Sequence, residues 1–198
     1  MLDDVKSKYI IENIFENIKN KRKLNIIKYS KKIQVKLNIN KEDFEIYITI
    51  KAFNNKYNIN IKDIDIKDLN LSEKRIKNLG LDDLVKIKLK ELNNLDLSKN
   101  GIFDINILGN INYKQLKEIN LNNNKISDIN IFEKVNFKDL NKLYLYGNNV
   151  SDINILEKVN FKKLKILNLS NNKIIDINIL EKVIFKELKE LYLSRDKI

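Results

Sequence analysis

Apolar and polar residues follow a repeating pattern over the second half of the chain. The sequence restarts at Leu92, Leu116, Leu140, Leu164 and Leu188, with a constant period of 24 residues. Near the start of each unit, leucine or isoleucine alternates with a polar or aromatic residue. This two-residue alternation is typical of a half-buried β-strand. The pattern therefore predicts a stack of similar coils, each of which contributes one short strand.

The rest of each unit supplies a turn and a second apolar stripe. Asparagine follows every strand at one fixed position, where a buried amide can satisfy the backbone groups that a turn leaves free. We therefore expect a structural asparagine ladder at Asn100, Asn124, Asn148 and Asn172. An aromatic residue also recurs once per unit, which predicts a spine of packed rings at Tyr113, Phe137, Phe161 and Phe185. Asparagine followed by glutamate three residues later suggests capping boxes at Asn130, Asn154 and Asn178.

The spacing L-x-x-L-x-L-x-x-N-x-I resembles the leucine-rich-repeat family, over residues 66–198. The resemblance implies an α/β solenoid with a parallel β-sheet on its concave face and short helices or turns on its convex face. In that family the outward strand residues line the concave face and usually recognise partners. The larger outward residues cluster in neighbouring units, and the candidate partner-binding set is Tyr144, Tyr146, Ile166, Tyr192, Lys142, Glu118 and Glu190.

Three segments are expected along the chain. Residues 66–91 form a degenerate first unit, so the repeats span 66–198. Before them, the sequences FEIYITI (44–50) and YNINI (57–61) alternate, which predicts β-strands within 42–65 that cap the solenoid. Residues 1–41 carry apolar side chains at helical spacing and predict a small α-helical N-terminal segment.

The N-terminal segment is open to two interpretations. It can be a helical cap on the solenoid, or it can be an F-box, which its Ile14-Phe15-x-x-Ile18 and Leu24 resemble. No Leu-Pro precedes the first helix, and the gap from Ile18 to Leu24 is longer than in that family. The F-box resemblance implies docking on the adaptor of a cullin-type ubiquitin ligase, with contacts from Ile10, Ile14, Phe15 and Ile18.

Composition removes most catalytic chemistry. The 198 residues include no Cys and no His, so disulfides, thiolate zinc sites and imidazole-based triads are excluded. Aspartates recur at the repeat period at Asp104, Asp128, Asp152 and Asp176, which favours a structural role in a turn. We expect a protein that is not an enzyme and that has no metal site and no cofactor.

The net charge of +11 raises a second hypothesis, which is binding to nucleic acid or to an anionic surface. Eleven Lys or Arg against four Asp or Glu give residues 1–41 a charge of +7. Only three of the cations are Arg, the better bidentate phosphate donor, and abundant Lys, Asn and Ile suggest codon bias. The start of the chain lacks a signal-peptide pattern, and no apolar run is long enough to span a membrane. We therefore expect a cytoplasmic or nuclear protein without a membrane partner.

The leading hypothesis is a non-catalytic protein-interaction scaffold, with F-box-like adaptor activity as its more specific form. A third hypothesis is a structural subunit that assembles with another copy. It would use the C-terminal repeat, where an edge strand is expected at Leu191–Leu193.

Overall fold

The architecture comes from a computed structural model that describes residues 30–37, 41–62, 64–111, 113–159 and 161–195. The chain divides into two compact units between Ala52 and Phe53. Helix α1 spans Lys31–Leu37 and α2 spans Lys41–Tyr57. All of the described strands lie in the second unit.

The repeats form a parallel sheet with one strand per coil. Each strand pairs in parallel with the next at a register of one repeat, so Leu143 lies beside Leu167 and Lys142 beside Ile166. The strands, in spatial and sequence order, are β1 Asp68–Asn70, β2 Asn94–Asp96, β3 Glu118–Asn120, β4 Lys142–Tyr144, β5 Ile166–Asn168 and β6 Glu190–Tyr192. We number the coils 1 to 6 after these strands.

Short helices return the chain from one strand to the next. Helix α3, Lys77–Lys86, follows β1. In the next four coils its place is taken by 3₁₀ helices at Asn106–Asn110, Asn130–Glu133, Asn154–Glu157 and Asn178–Glu181. The predicted solenoid, with a parallel sheet on one face and short helices or turns on the other, is therefore confirmed.

The core lies between the sheet and these helices. Leu143 and Leu145, the inward residues around β4, are fully buried, and the same positions are buried in coils 2, 3 and 5. Phe132 and Phe161 meet edge to face, with ring centroids 5.8 Å apart. Burying one such side chain contributes roughly 1.5–3 kcal/mol before conformational entropy is subtracted. Because each core layer is shared with the next coil, the coils are stable only when stacked.

Buried asparagine amides join successive coils. The Asn124 Oδ1 accepts hydrogen bonds from the backbone N–H groups of Asn100 and Ile102, both at 3.0 Å. Its Nδ2 donates to the carbonyls of Leu97 (3.0 Å) and Leu121 (2.9 Å). The buried amides that bridge coils in this way belong to Asn100, Asn124, Asn148 and Asn172. Each amide thus closes the turn of its own coil and holds the preceding coil in register.

The prediction of β-strands within residues 42–65 is wrong, because this region contains helix α2. Its buried residues Ile50, Phe53 and Tyr57 are three and four positions apart, which places them on one helical face. The seven residues of FEIYITI fit both the two-residue period of a strand and the 3.6-residue period of a helix. Only the later residues Phe53 and Tyr57 distinguish the helix from a strand.

The end of α2 is defined by a left-handed residue. Asn58 has a positive φ of 49°, and the Ile59 N–H donates to the Asn54 carbonyl at 3.1 Å, as in a Schellman motif. The Asn54 side chain then hydrogen-bonds both backbone groups of Ile61, at 2.8 and 2.9 Å. Tyr57 packs on α3 so closely that a Cβ at Gly80 would lie 2.7 Å from its hydroxyl oxygen. The last turn of α2 therefore covers the first coil, where strands were expected.

The expected capping boxes are also replaced by a different interaction. The 3₁₀ helix that begins at Asn154 has no side-chain cap from its N-cap residue, Ile153. Instead, the Asp152 Oδ1 accepts the Asn154 N–H at 2.8 Å. The corresponding aspartates in the other coils, Asp104, Asp128 and Asp176, do the same. This recurring bond is an aspartate turn in which the side chain satisfies the backbone two residues later.

We predict that Asn148→Ala lowers the free energy of unfolding by about 1–3 kcal/mol, because it leaves buried backbone groups without partners. Urea denaturation would measure the change. Asn154→Ala is a matched control, since Asn154 is an exposed asparagine of the same coil. Equal stability losses in the two variants would contradict the proposed importance of the buried amide.

A second prediction concerns the aromatic spine. The Tyr113 hydroxyl is buried and has no hydrogen-bond partner among the described residues. Burial raises the pKa of Tyr113. Phenylalanine holds the same position in later coils, so Tyr113→Phe should keep or raise the free energy of unfolding, by up to about 1 kcal/mol. A loss of stability in thermal or urea denaturation would contradict this expectation.

Candidate partner-binding surface

The sheet register arranges the outward side chains in three rows that run across the strands. The first row is Asp68, Asn94, Glu118, Lys142, Ile166 and Glu190. The second row is Asn70, Asp96, Asn120, Tyr144, Asn168 and Tyr192. The third row follows just after the strands and is Ser72, Ser98, Asn122, Tyr146, Ser170 and Ser194. The rows bring together residues that are 24 or more positions apart in sequence.

The larger side chains of these rows lie together on β4, β5 and β6. Tyr144 and Tyr192 occupy the second row on either side of Asn168, two strand spacings or about 10 Å apart. Ile166 lies beside Lys142 in the first row, and Tyr146 follows β4 in the third. Tyr192 is 45% exposed, whereas Tyr144, Tyr146 and Ile166 are half-buried. We call Tyr144, Tyr146, Ile166 and Tyr192 the tyrosine patch.

Charged residues border the tyrosine patch. Lys142 Nζ lies 3.0 Å from Glu118 Oε2, and this contact raises the pKa of Lys142. The Tyr192 hydroxyl donates to Glu190 Oε2 at 2.6 Å, which raises the pKa of that phenol. Burial, together with the nearby Glu118, raises the pKa of Tyr144. Both phenols are therefore neutral near pH 7. The Tyr144 hydroxyl offers a hydrogen-bond donor, whereas the Tyr192 hydroxyl already donates to Glu190 and offers its oxygen as an acceptor.

Second-row residues other than tyrosine have a structural task. In coil 3 the Asn120 Oδ1 accepts the N–H of Asn122, the third-row residue of the same coil, at 3.0 Å. Coils 1, 2 and 5 have the same bond through Asn70, Asp96 and Asn168. A short side chain with a carbonyl or carboxylate oxygen suits this bond. The long tyrosine side chain has its only acceptor far from the backbone.

The preceding coil supplies the acceptor where tyrosine is present. The Tyr146 N–H donates to the Asn122 Oδ1 at 2.8 Å, and the Ser194 N–H donates to the Ser170 Oγ at 3.0 Å. Both acceptors are third-row side chains of the coil before. The backbone is therefore satisfied in coils 4 and 6, even though Tyr144 and Tyr192 do not take part in it.

Comparisons with known proteins agree with this geometry. A family model described as Leucine Rich repeats (2 copies) matches residues 114–158. These coils are leucine-rich repeats. No curated protein matches the chain.

Among solved structures, an internalin (InlF) from Listeria monocytogenes is similar to this chain, with 25% identity and a TM-score of 0.52. The match covers 65% of this chain and 34% of the internalin, so the chain spans about a third of that protein. Internalin C2 of the same bacterium matches at 23% identity with a TM-score of 0.47, covering 65% and 62% of the two chains. A leucine-rich-repeat protein of Leptospira interrogans matches at 25% identity and a TM-score of 0.47, covering 58% and 28%.

The predicted site residues fall into three places. All seven candidate partner-binding residues lie in the outward rows, whereas the ladder asparagines lie inside the leucine-rich repeats. Ile10, Ile14, Phe15 and Ile18, the candidate adaptor contacts, lie outside the described residues. The third row is less open than alternation suggests, since Ser98 and Ser170 are buried there. The reason is that the chain already turns toward the ladder asparagine two residues later.

Sequence reasoning did not identify the bonds in which a second-row Asn or Asp accepts the third-row N–H of its own coil, which we call the capping bonds. Their signal is nevertheless present in the aligned repeats, where the second row is Asn or Asp except at Tyr144 and Tyr192. Within the ranges that the structure describes, no group of acidic residues is placed to hold a metal ion. The described helices include none that is long and apolar enough to cross a membrane.

In coil 4, Asn122 supplies the acceptor that Tyr144 cannot supply, and a double-mutant cycle tests this compensation. We predict that Asn122→Ala costs about 1 kcal/mol of stability, because the Tyr146 N–H loses its acceptor. In a Tyr144→Asn background the cost should fall below about 0.5 kcal/mol, because the new asparagine can bond that N–H within its own coil. Urea denaturation of the four proteins measures both costs. Identical costs in the two backgrounds would show that Asn122 does not compensate for Tyr144.

Proposed function

We propose that this chain is a non-catalytic interaction scaffold that binds a protein partner through the tyrosine patch. The observation that supports this proposal is the pair Tyr144 and Tyr192. They stand where the other coils carry a structural Asn or Asp, and the preceding coils supply the bonds that they cannot make. The two tyrosines therefore do not make the backbone bond that the other second-row residues make, and binding gives them a role.

The side chains of the tyrosine patch suit a protein interface. Tyrosine buries a large area at a small cost in rotamer entropy, and its hydroxyl gives directional hydrogen bonding. Ile166 adds apolar area between Lys142 and Glu190 in the first row. Those two charges and Glu118 border the patch, where rim charges orient a partner and speed its association. Most other outward positions are small and polar and contribute little binding energy.

Binding without catalysis is consistent with the chemistry of this surface. The chain has no His and no Cys, and the tyrosine patch contains no carboxylate or amine. Lys142 and Glu118 are paired with each other. The surface therefore presents shape, hydrogen-bond donors and charge rather than a nucleophile with its base.

We further propose, from the N-terminal sequence, that the scaffold delivers its partner to a cullin-type ubiquitin ligase. The Ile14-Phe15-x-x-Ile18 pattern is what supports this form of the function. Its direct test is binding of the full chain to a purified cullin adaptor, compared with Ile14→Asp/Phe15→Asp. No binding by the unchanged chain would remove the adaptor role and leave the scaffold role intact.

The scaffold proposal is tested by restoring the repeat residue at both tyrosines. Tyr144→Asn/Tyr192→Asn should leave unfolding cooperative. It should lower the affinity for a purified partner by about 30-fold, which corresponds to losing about 2 kcal/mol at a hot spot. The partner is first isolated by affinity capture and then titrated by calorimetry.

Phe103→Ser/Ile175→Ser is the matched control. These two apolar residues are exposed outside the strand rows, and serine holds the same position at Ser127 and Ser151. Affinity should be unchanged in this control. Equal affinities for the unchanged chain and the tyrosine variant would disprove binding at the tyrosine patch.

A further inference from the structure

The concave face carries charge of the opposite sign to the chain as a whole. Its three rows contain four carboxylates and one ammonium group, a net charge of −3, in a protein whose net charge is +11. The charged residues of the rows are Asp68, Asp96, Glu118, Lys142 and Glu190. A uniformly lysine-rich surface would have the same sign here as elsewhere.

Among the described residues, three of these four carboxylates have no cationic partner. Asp96 accepts hydrogen bonds from the Ser98 N–H and the Asn120 side chain, at 2.8 and 3.2 Å. Asp68 accepts from the Asn94 amide, and Glu190 from the Tyr192 hydroxyl. All of these donors are neutral. In the described part of the chain, the only ion pair within the rows is Glu118 with Lys142.

A shallow depression lies among these carboxylates. It has a volume of about 120 Å³ and is lined on β1, β2 and β3 by acceptor-bearing side chains, including Asp68, Asp96, Glu118 and Asn120. Leu69 and Leu95 also line it, through their backbone, because their side chains point into the core. This space fits the end of one long side chain whose stem is apolar and whose tip is a cation.

The tyrosine patch extends the same preference to β4, β5 and β6. Tyr144 lies close enough to Glu118 that the carboxylate contributes to its raised pKa. Glu190 is hydrogen-bonded to Tyr192. Aromatic faces next to carboxylates attract ammonium and guanidinium groups through both the ring quadrupole and the net charge.

We propose that the partner segment bound on the concave face is rich in lysine and arginine. One cationic side chain enters the depression on β1–β3, and others contact the tyrosines and Glu190. Five strand spacings of about 4.8 Å span about 24 Å, the length of roughly seven extended residues. This inference rests on the proposed function and names the chemical class of its partner. Nucleic acid is disfavoured at this face, because its phosphates would meet unneutralised carboxylates.

The experiment is a selection of random 12-residue peptides, displayed on phage, against the full chain. We expect the selected peptides to be enriched in Lys and Arg relative to the unselected library. One selected peptide is then synthesised, and its affinity is measured at low and at physiological salt. The affinity should fall as salt rises, because screening weakens attraction between exposed charges.

The chain itself offers the charge variants. Asp68→Asn/Asp96→Asn should lower the affinity for the peptide by about three- to tenfold, because it removes two exposed attractive charges. Asparagine occupies the same rows at Asn94, Asn70 and Asn120, so the capping bonds can be kept. The matched control is Asp128→Asn/Asp152→Asn, which changes the net charge equally at turns outside the rows. The control should bind as the unchanged chain does.

The outcomes separate this inference from the proposed function. Neutral or acidic peptides that lose affinity with Tyr144→Asn/Tyr192→Asn would overturn the charge inference and support the tyrosine patch. Basic peptides that respond to the aspartate variant, and not to the tyrosine variant, would support the charge inference and overturn the tyrosine-centred function. Equal weakening by both aspartate variants would indicate a general field effect and overturn the inference. A selection that yields no binding peptide would count against both.

Discussion

The buried asparagine amide is the interaction on which the repeat depends. Each strand is only three residues long, so the chain must leave the sheet almost at once and turn with several backbone groups freed. An amide has both an acceptor and two donors, and it can serve two coils at the same time. Asn124 does this by accepting from coil 2 and donating to coils 2 and 3. Without such bonds, the apolar stripes could still collapse, but their register would not be fixed.

Short polar side chains also satisfy backbone groups on the outer surface. Second-row asparagines and aspartates satisfy one N–H in each of coils 1, 2, 3 and 5, and the turn aspartates satisfy another before each 3₁₀ helix. Leucine and isoleucine fill the layers between the sheet and these helices. A composition rich in asparagine, isoleucine and lysine therefore suits this fold, because asparagine and isoleucine have a defined place in each of coils 2 to 5. Lysine lies mostly on the outside, where many substitutions cost little stability.

What could be predicted from the sequence depended on repetition. Leu143, Leu145 and Asn148 were assigned correctly to core and turn because their pattern recurs in coils 2 to 5. Helix α2 was missed because it occurs once, and a short alternating stretch around Ile46–Ile50 fits two periods equally well. The outward position of Tyr144 followed from alternation alone. The hydrogen bond from the Tyr146 N–H to the Asn122 side chain could not be predicted, because it joins a backbone group of coil 4 to a side chain of coil 3. The partner itself leaves no periodic trace in the sequence.

In coils 4 and 6, a backbone N–H depends on a side-chain acceptor in the preceding coil. This dependence limits how the repeats can be rearranged. A coil with an aromatic second row must follow a coil whose third-row side chain is a short acceptor, as Asn122 and Ser170 are. Coil 4 itself ends in Tyr146, which offers no such acceptor, and coil 5 accordingly caps itself through Asn168. Two neighbouring coils of the coil 4 type would therefore leave one backbone N–H without a side-chain acceptor. Duplication, exchange or grafting of single coils has to respect this order, which also keeps Tyr144 and Tyr192 from lying on neighbouring strands.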